Sequence, residues 1–246
     1  YSGSFWSSAR VPADPSKVVG SVAIGNNTFA RTGSTMIGSH NYRGAIGDTT
    51  IDTDNNGTRG ASLNVYATTV GANSFSNGAF TTTTGTYSYT GGRFSTPTQN
   101  FGATVNGAFN SIESTSGGST AGVATAITGV ANRVANSNGA LVYGAGNEIT
   151  NSSASFSTPG EGATSAKDFA DKLKTAVTSS NGSGATMAFG GGNKADYTLR
   201  TSLIGVNNTV TGVRGDQSKD NLALGVGNTG TKVQHMTVIG SKNTVS

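Results

Sequence analysis

Leu222-Ala223-Leu224-Gly225-Val226-Gly227-Asn228-Thr229-Gly230 is followed, 15 residues on, by Thr237-Val238-Ile239-Gly240-Ser241-Lys242-Asn243-Thr244-Val245. Ser202-Leu203-Ile204-Gly205-Val206-Asn207-Asn208-Thr209-Val210 and Leu141-Val142-Tyr143-Gly144-Ala145-Gly146-Asn147-Glu148-Ile149 line up with both. The shared frame is apolar, any, apolar, Gly, two variable residues, Asn, any, apolar. Looser copies centre on Gly25, Gly38, Gly71, Gly107, Gly129 and Gly190, with Thr28 and Ser74 standing for the Asn in two of them. Gly190, Gly205, Gly225 and Gly240 are 15, 20 and 15 residues apart, and Gly129 precedes Gly144 by 15. That period holds two short strands and two turns, whereas a helical pair needs about twice as many residues.

Each slot of the frame has a physical reason. The Gly ends a strand where the chain bends sharply; without a Cβ it accepts a positive φ or close contact with the next coil. Asn, or Ser or Thr in its place, bonds turn backbone, and stacking sets these side chains in ladders. One coil cannot bury its own face, but a stack of coils can. Residues one and three before the Gly share a strand face, as in Val22/Ile24, Leu141/Tyr143, Met187/Phe189 and Leu222/Leu224. The opposite face, two before the Gly, is also mostly apolar: Met36, Val142, Ala188, Leu203, Ala223 and Val238. One face is expected to pack inside the roll and the other to meet a neighbouring subunit, because large apolar stripes are uncommon on monomers.

Composition agrees with a strand solenoid. Hydrophobic residues make up 34% of the 246 and charged residues 11%, with 37 Gly, a balance unlike that of disordered chains. No three-residue Gly period is visible, which excludes collagen. Cysteine is absent, so no disulfide or thiolate metal site contributes. The net charge of +4 is scattered rather than clustered, which argues against nucleic acid. Apolar runs such as Leu222 to Val226 are too short to span a bilayer, so the chain itself is not expected in the membrane. Tyr1 to Val11 lacks the charged start and apolar core of a secretory signal, so any export signal or anchor is expected outside this sequence.

Val22-Ala23-Ile24-Gly25-Asn26-Asn27-Thr28, Leu222-Ala223-Leu224-Gly225 and Val238-Ile239-Gly240 resemble the repeats of YadA-like trimeric autotransporter adhesin heads, over much of 18 to 47, 101 to 149 and 185 to 246. The resemblance implies an all-β fold, a left-handed parallel β-roll assembled as a homotrimer. It also implies display from the outer membrane of a Gram-negative bacterium, and attachment to host cells, matrix or other bacteria, with roles in virulence and biofilm. The implied partners are a surface protein or glycan.

The chain reads as a single head region, 1 to 246, with insertions near 48 to 64, 76 to 100, 113 to 125, 150 to 184 and 211 to 221. Residues 165 to 178 are predicted helical: Ser165 caps, Asp168 sits three later, and Phe169, Leu173, Ala176 and Val177 share a face expected to pack on the roll. Tyr87, Tyr89, Arg93 and Phe94 combine aromatics with a cation, as recognition surfaces do, and are the receptor-binding candidates. The same stretch also reads as a β-hairpin turning at Gly91-Gly92. Asp52-Thr53-Asp54-Asn55-Asn56-Gly57 opens like a calcium loop, but Leu63 occupies the place of the bidentate Glu, which favours a polar turn. His40 and His235 are isolated, so no metal is expected, and no pattern calls for a cofactor.

Glu113, Glu148, Glu161, Asp196, Asp216 and Asp220 are dispersed and form no recognisable acid/base pair. Gly190-Gly191-Gly192 lacks the Lys-Ser/Thr of a phosphate loop. The expectation is therefore a non-enzymatic adhesin, with a trimeric parallel β-helix polysaccharide-processing enzyme as the alternative.

Overall fold

The computed structural model describes residues 22–26, 28, 30, 33–39, 66–76, 78–92, 99–114, 118–155, 166–180 and 184–246. The chain climbs as a stack of coils. Among the described residues, eleven strands, from Val22–Ile24 to Thr237–Ser241, lie side by side in chain order as one sheet. Nine shorter strands among the same residues, from Phe75–Ser76 to Thr244–Val245, form a second sheet in the same order. Pairing is parallel throughout both. In longer coils a third side appears, where Thr198–Leu199 pairs with Ser218–Lys219. This is the expected parallel β-roll, with a second strand shorter than the first.

The frame glycines are in register from Gly38 through Gly240. From Gly71 to Gly225 their φ lies between 114 and 140, and an added Cβ would fall 1.6 to 2.1 Å from the carbonyl oxygen of the next coil's glycine. Both reasons for glycine, the backbone conformation and the close approach, therefore apply at once.

The Asn ladder is continuous. Each amide Nδ2 donates to the Oδ1 of the Asn one coil earlier, linking Asn132 to Asn110, then Asn147, Asn193, Asn208, Asn228 and Asn243 in turn at 2.9 to 3.1 Å. Nδ2 also donates to the frame glycine carbonyl of the following coil, as from Asn208 to Gly225 at 2.9 Å. Each Oδ1 further accepts the backbone N–H of the next Asn. Buried amides are tolerated because every atom finds a partner. Ser74 and Ser88 do the same with hydroxyls, donating to Gly85 and Gly107.

The interior is built from the position two before each glycine. Val105, Ile127, Val142, Ala188, Leu203 and Ala223 are sealed there against Ile112, Val134, Ile149, Ala195 and Val210 of the short strands. Outward-facing neighbours are half-buried, as at Phe189 and Ile204, or exposed, as at Leu141 and Tyr143, so the sequence's two apolar faces are one core and one surface.

The predicted helix is present over Ala166–Ser179. Leu173 packs on a second small core of Ala79, Phe101 and Val123, and Ala176 is buried. The excursion carrying the helix leaves and re-enters without interrupting the ladder, since Asn193 bonds Asn147 across 46 residues.

Residues 76 to 100 are not wholly an insertion. Thr82–Thr86 and Tyr89–Gly92 complete a coil in register with its neighbours, around an eleventh frame glycine, Gly85. The hairpin reading fails with it: Gly91 and Gly92 lie inside a strand that pairs in parallel with Ser111–Ser114. Glycine serves proximity rather than a turn at Gly92, where a Cβ would lie 2.9 Å from the Asn100 amide nitrogen.

Candidate binding surfaces

Along the outer face of the eleven-stranded sheet runs an apolar stripe. Ile24, Ile37 and Val70 begin it and Tyr143, Leu224 and Ile239 continue it, all one before their glycine. Tyr143 and Ile239 are 58% and 68% exposed, beyond what scattered surface apolar residues explain. Val130, Val206 and Val226, just after the glycine, widen it. In the middle the same row turns polar, with Thr84, Asn106 and Thr128. There the Thr84 hydroxyl donates to Asn106 Oδ1.

A second surface lies at the corner two residues after the frame glycine, where the backbone is left-handed. Asn73, Ala131 and Asn207 occupy it with φ of 50 to 56, alongside Gly146, Gly192 and Gly227. Two consecutive coils instead place Tyr87 (φ 51) and Phe109 (φ 58) there. Their rings stack, with centroids 5.5 Å apart and planes within 8°. A comparable pair, Tyr66 over Phe80, stacks ahead of the strands that carry Gly71 and Gly85, and Phe80 meets buried Phe101 edge-on.

On the nine-stranded sheet, outward residues form a row of alternating charge. Arg133 bonds Glu113 at 2.7 Å and Glu148 at 2.8 Å, and Lys194 lies 3.3 Å from Glu148. Partial burial pushes the Glu113 carboxyl up, but the hydrogen bonds and charge of Arg133, with the Ser111 and Tyr89 hydroxyls, leave it below the usual range. Glu148 is likewise lowered, as Arg133 and Lys194 outweigh burial. Arg133 is raised, chiefly by its Glu113 bond. Tyr89 is raised by burial and by the charge of Glu113, to which its hydroxyl donates at 3.2 Å.

The chain matches no protein-family model, no curated protein and no solved structure.

Of the receptor-binding candidates, Tyr87 and Tyr89 belong to one coil but point differently, Tyr87 at the corner and Tyr89 on the short sheet. Arg93 and Phe94 lie outside the described residues. The aromatic that joins Tyr87 is Phe109, which sequence reading missed. Its signal is positional: once Gly85 is aligned with Gly107, Tyr87 and Phe109 fall in the same slot.

Asp52 to Gly57 and His40 also lie outside the described residues. His235 is exposed, its Nδ1 4.0 Å from Asp220. Among the described residues no group of three His, Asp or Glu side chains is placed to hold a metal. Asp220 is lowered by its hydrogen bond from Arg200, whose Nε lies 2.6 Å away. Asp196 accepts from Thr150 and Asn151 at 2.6 and 2.8 Å.

Proposed function

We propose that this chain is the head of a trimeric adhesin of the YadA-like kind, displayed from a Gram-negative outer membrane and binding host or bacterial surfaces. The observation that carries the reading is the apolar stripe, which rises in register with the coils and suits burial against identical copies aligned in parallel. The count of three, the left-handed winding and the surface address rest on the sequence resemblance. Three equivalent heads convert weak contacts into firm attachment through effective concentration. Among the described residues no helix is long and apolar enough to cross a membrane.

Light scattering on the purified chain should give three times the monomer mass. Leu224→Lys with Ile239→Lys should give a folded monomer by circular dichroism. A wild-type monomer would remove the assembly. For attachment, the chain is screened against immobilised matrix proteins and surface glycans. Release of oligosaccharide from a bound glycan would replace adhesion with the polysaccharide-processing reading.

A further inference from the structure

We propose that the Tyr87–Phe109 stack is a carbohydrate-binding platform that takes uncharged sugar rings; the proposal rests on the adhesion reading and names the ligand class.

The corner position favours Gly or Asn, since a left-handed conformation costs other residues roughly 1–2 kcal/mol. At this corner the described coils otherwise carry Gly, Asn or Ala, with Lys242 in the last, yet two adjacent coils carry large aromatics in that conformation. Tyr66 and Phe80 are left-handed too, with φ of 52 and 56, but there Phe80 packs edge-on against buried Phe101. Phe109 is 60% exposed, and its ring contact is with Tyr87. Strain maintained at an exposed Phe109 stacked on a half-buried Tyr87 is the pattern expected of a ligand contact rather than of packing.

The surroundings determine which ligand. Beyond Phe109 the next two coils place exposed Ala131 and Gly146 at the corner, and a Cβ on Gly146 would meet only one atom within 4 Å. The face of Phe109 turned away from Tyr87 therefore overlooks a shelf without large side chains. Asn207 closes that shelf, its Oδ1 lying 2.3 Å from where a Gly192 Cβ would be. At ~4.8 Å per coil the shelf is roughly 14 Å long, enough for a short run of rings. An aromatic face stacks on the C–H face of a sugar, and an amide at the far end can bond a hydroxyl. Two residues on from the corner, Arg133 and Glu148 begin the charged row of the short sheet. With Glu113 and Lys194 the row sums to zero charge, two acidic and two basic groups, already paired. Neither an acidic glycan nor a basic peptide finds a complementary field, so a neutral glycan is favoured.

The test replaces both aromatics by the residue the corner favours. Tyr87→Asn/Phe109→Asn relieves the backbone, so the variant should unfold at the same temperature as the wild type or higher, with unchanged mass by light scattering. Both proteins are applied to a printed panel of neutral, sialylated and sulfated oligosaccharides. The wild type should bind neutral members with little salt dependence, and the variant should bind them about tenfold more weakly or worse. Equal binding by the variant overturns the proposal, as does wild-type preference for the acidic members. A drop in mass would make the stack an interface between copies, overturning it in a different way. Wild-type binding to matrix protein but to no oligosaccharide would leave adhesion standing and this proposal refuted; binding to neither removes both.

Discussion

The coils around Gly71 and Gly85 and those around Gly190, Gly205 and Gly225 follow one register with different interiors. In the later coils the inward positions hold Ala188, Leu203 and Ala223, opposed by Ala195 and Val210. The earlier ones hold Thr69 and Thr83 instead, joined through Ser76 in a buried run of hydroxyls at 3.0 and 2.8 Å. The ladder differs too. Later Asn residues accept their neighbour's backbone N–H at 3.1 Å, whereas Ser88 reaches Ser74 at 3.4 Å. The roll thus tolerates a polar or an apolar filling, provided the glycine row and a side-chain ladder persist. What differs is how firmly each coil is held.

The glycine row is common to both regions, so breaking it should be severe in either. Gly85→Ala and Gly205→Ala each drive a Cβ to within 1.7 and 2.1 Å of a carbonyl oxygen. Each should cost about 4 kcal/mol or more, the range of forced overpacking and backbone strain, read as loss of the cooperative melting transition. Gly118→Ala, with open space around it, should stay within about 0.5 kcal/mol.

The ladder should separate the regions. Asn208→Ala takes the acceptor from the Asn228 N–H, one of the acceptors from the Asn228 amide and the side-chain donor from the Gly225 carbonyl, and should cost about 3 kcal/mol by denaturant titration. Ser88→Ala, which removes longer bonds, should cost about 1 kcal/mol. Equal losses would mean that serine and asparagine ladders are equivalent.

The interiors give a smaller and more diagnostic effect. Thr83→Val leaves the Ser76 hydroxyl proton without its acceptor, at about 1–2 kcal/mol. Thr69→Val/Ser76→Ala/Thr83→Val removes the whole run and should be neutral or stabilising. A triple variant less stable than the single one would show that the hydroxyl core contributes net stability.

Weakest of all is the charged row on the short sheet. Glu113 and Glu148 have folded values below their unfolded one of about 4.3, so their contribution is present above that pH and fades as acid carries the solution through the folded values. The Arg133 side chain is 44% exposed, so Arg133→Met should cost under about 1 kcal/mol at neutral pH and flatten the acid-side decline in melting temperature.

Much of this was legible in advance. The Gly–x–x–Asn frame identified ten of the coils because glycine and asparagine are chosen by backbone geometry and hydrogen bonding, which leave residue-specific marks. Gly85 escaped because Thr82-Thr83-Thr84 shows no apolar alternation, and paired hydroxyls had replaced the signal that periodicity detects. Which of two apolar faces lies inside was not legible either, since Leu203 and Ile204 are equally apolar; only closure of the roll chooses Leu203. Tyr87 was noticed for its chemistry, but its partner Phe109 lies 22 residues away, and adjacency across a coil is a property of the register alone.

The direction of the Asn bonds has a further consequence. From Asn243 down to Asn132 each amide nitrogen reaches back to the Oδ1 of the earlier coil, while each oxygen accepts from the later one. Strand dipoles largely cancel across a sheet, but these side-chain dipoles point one way and polarise one another. The Asn side-chain dipoles therefore add along the axis, positive ends toward Asn110 and negative ends toward Asn243, and they face a row of glycine carbonyls whose oxygens point the opposite way.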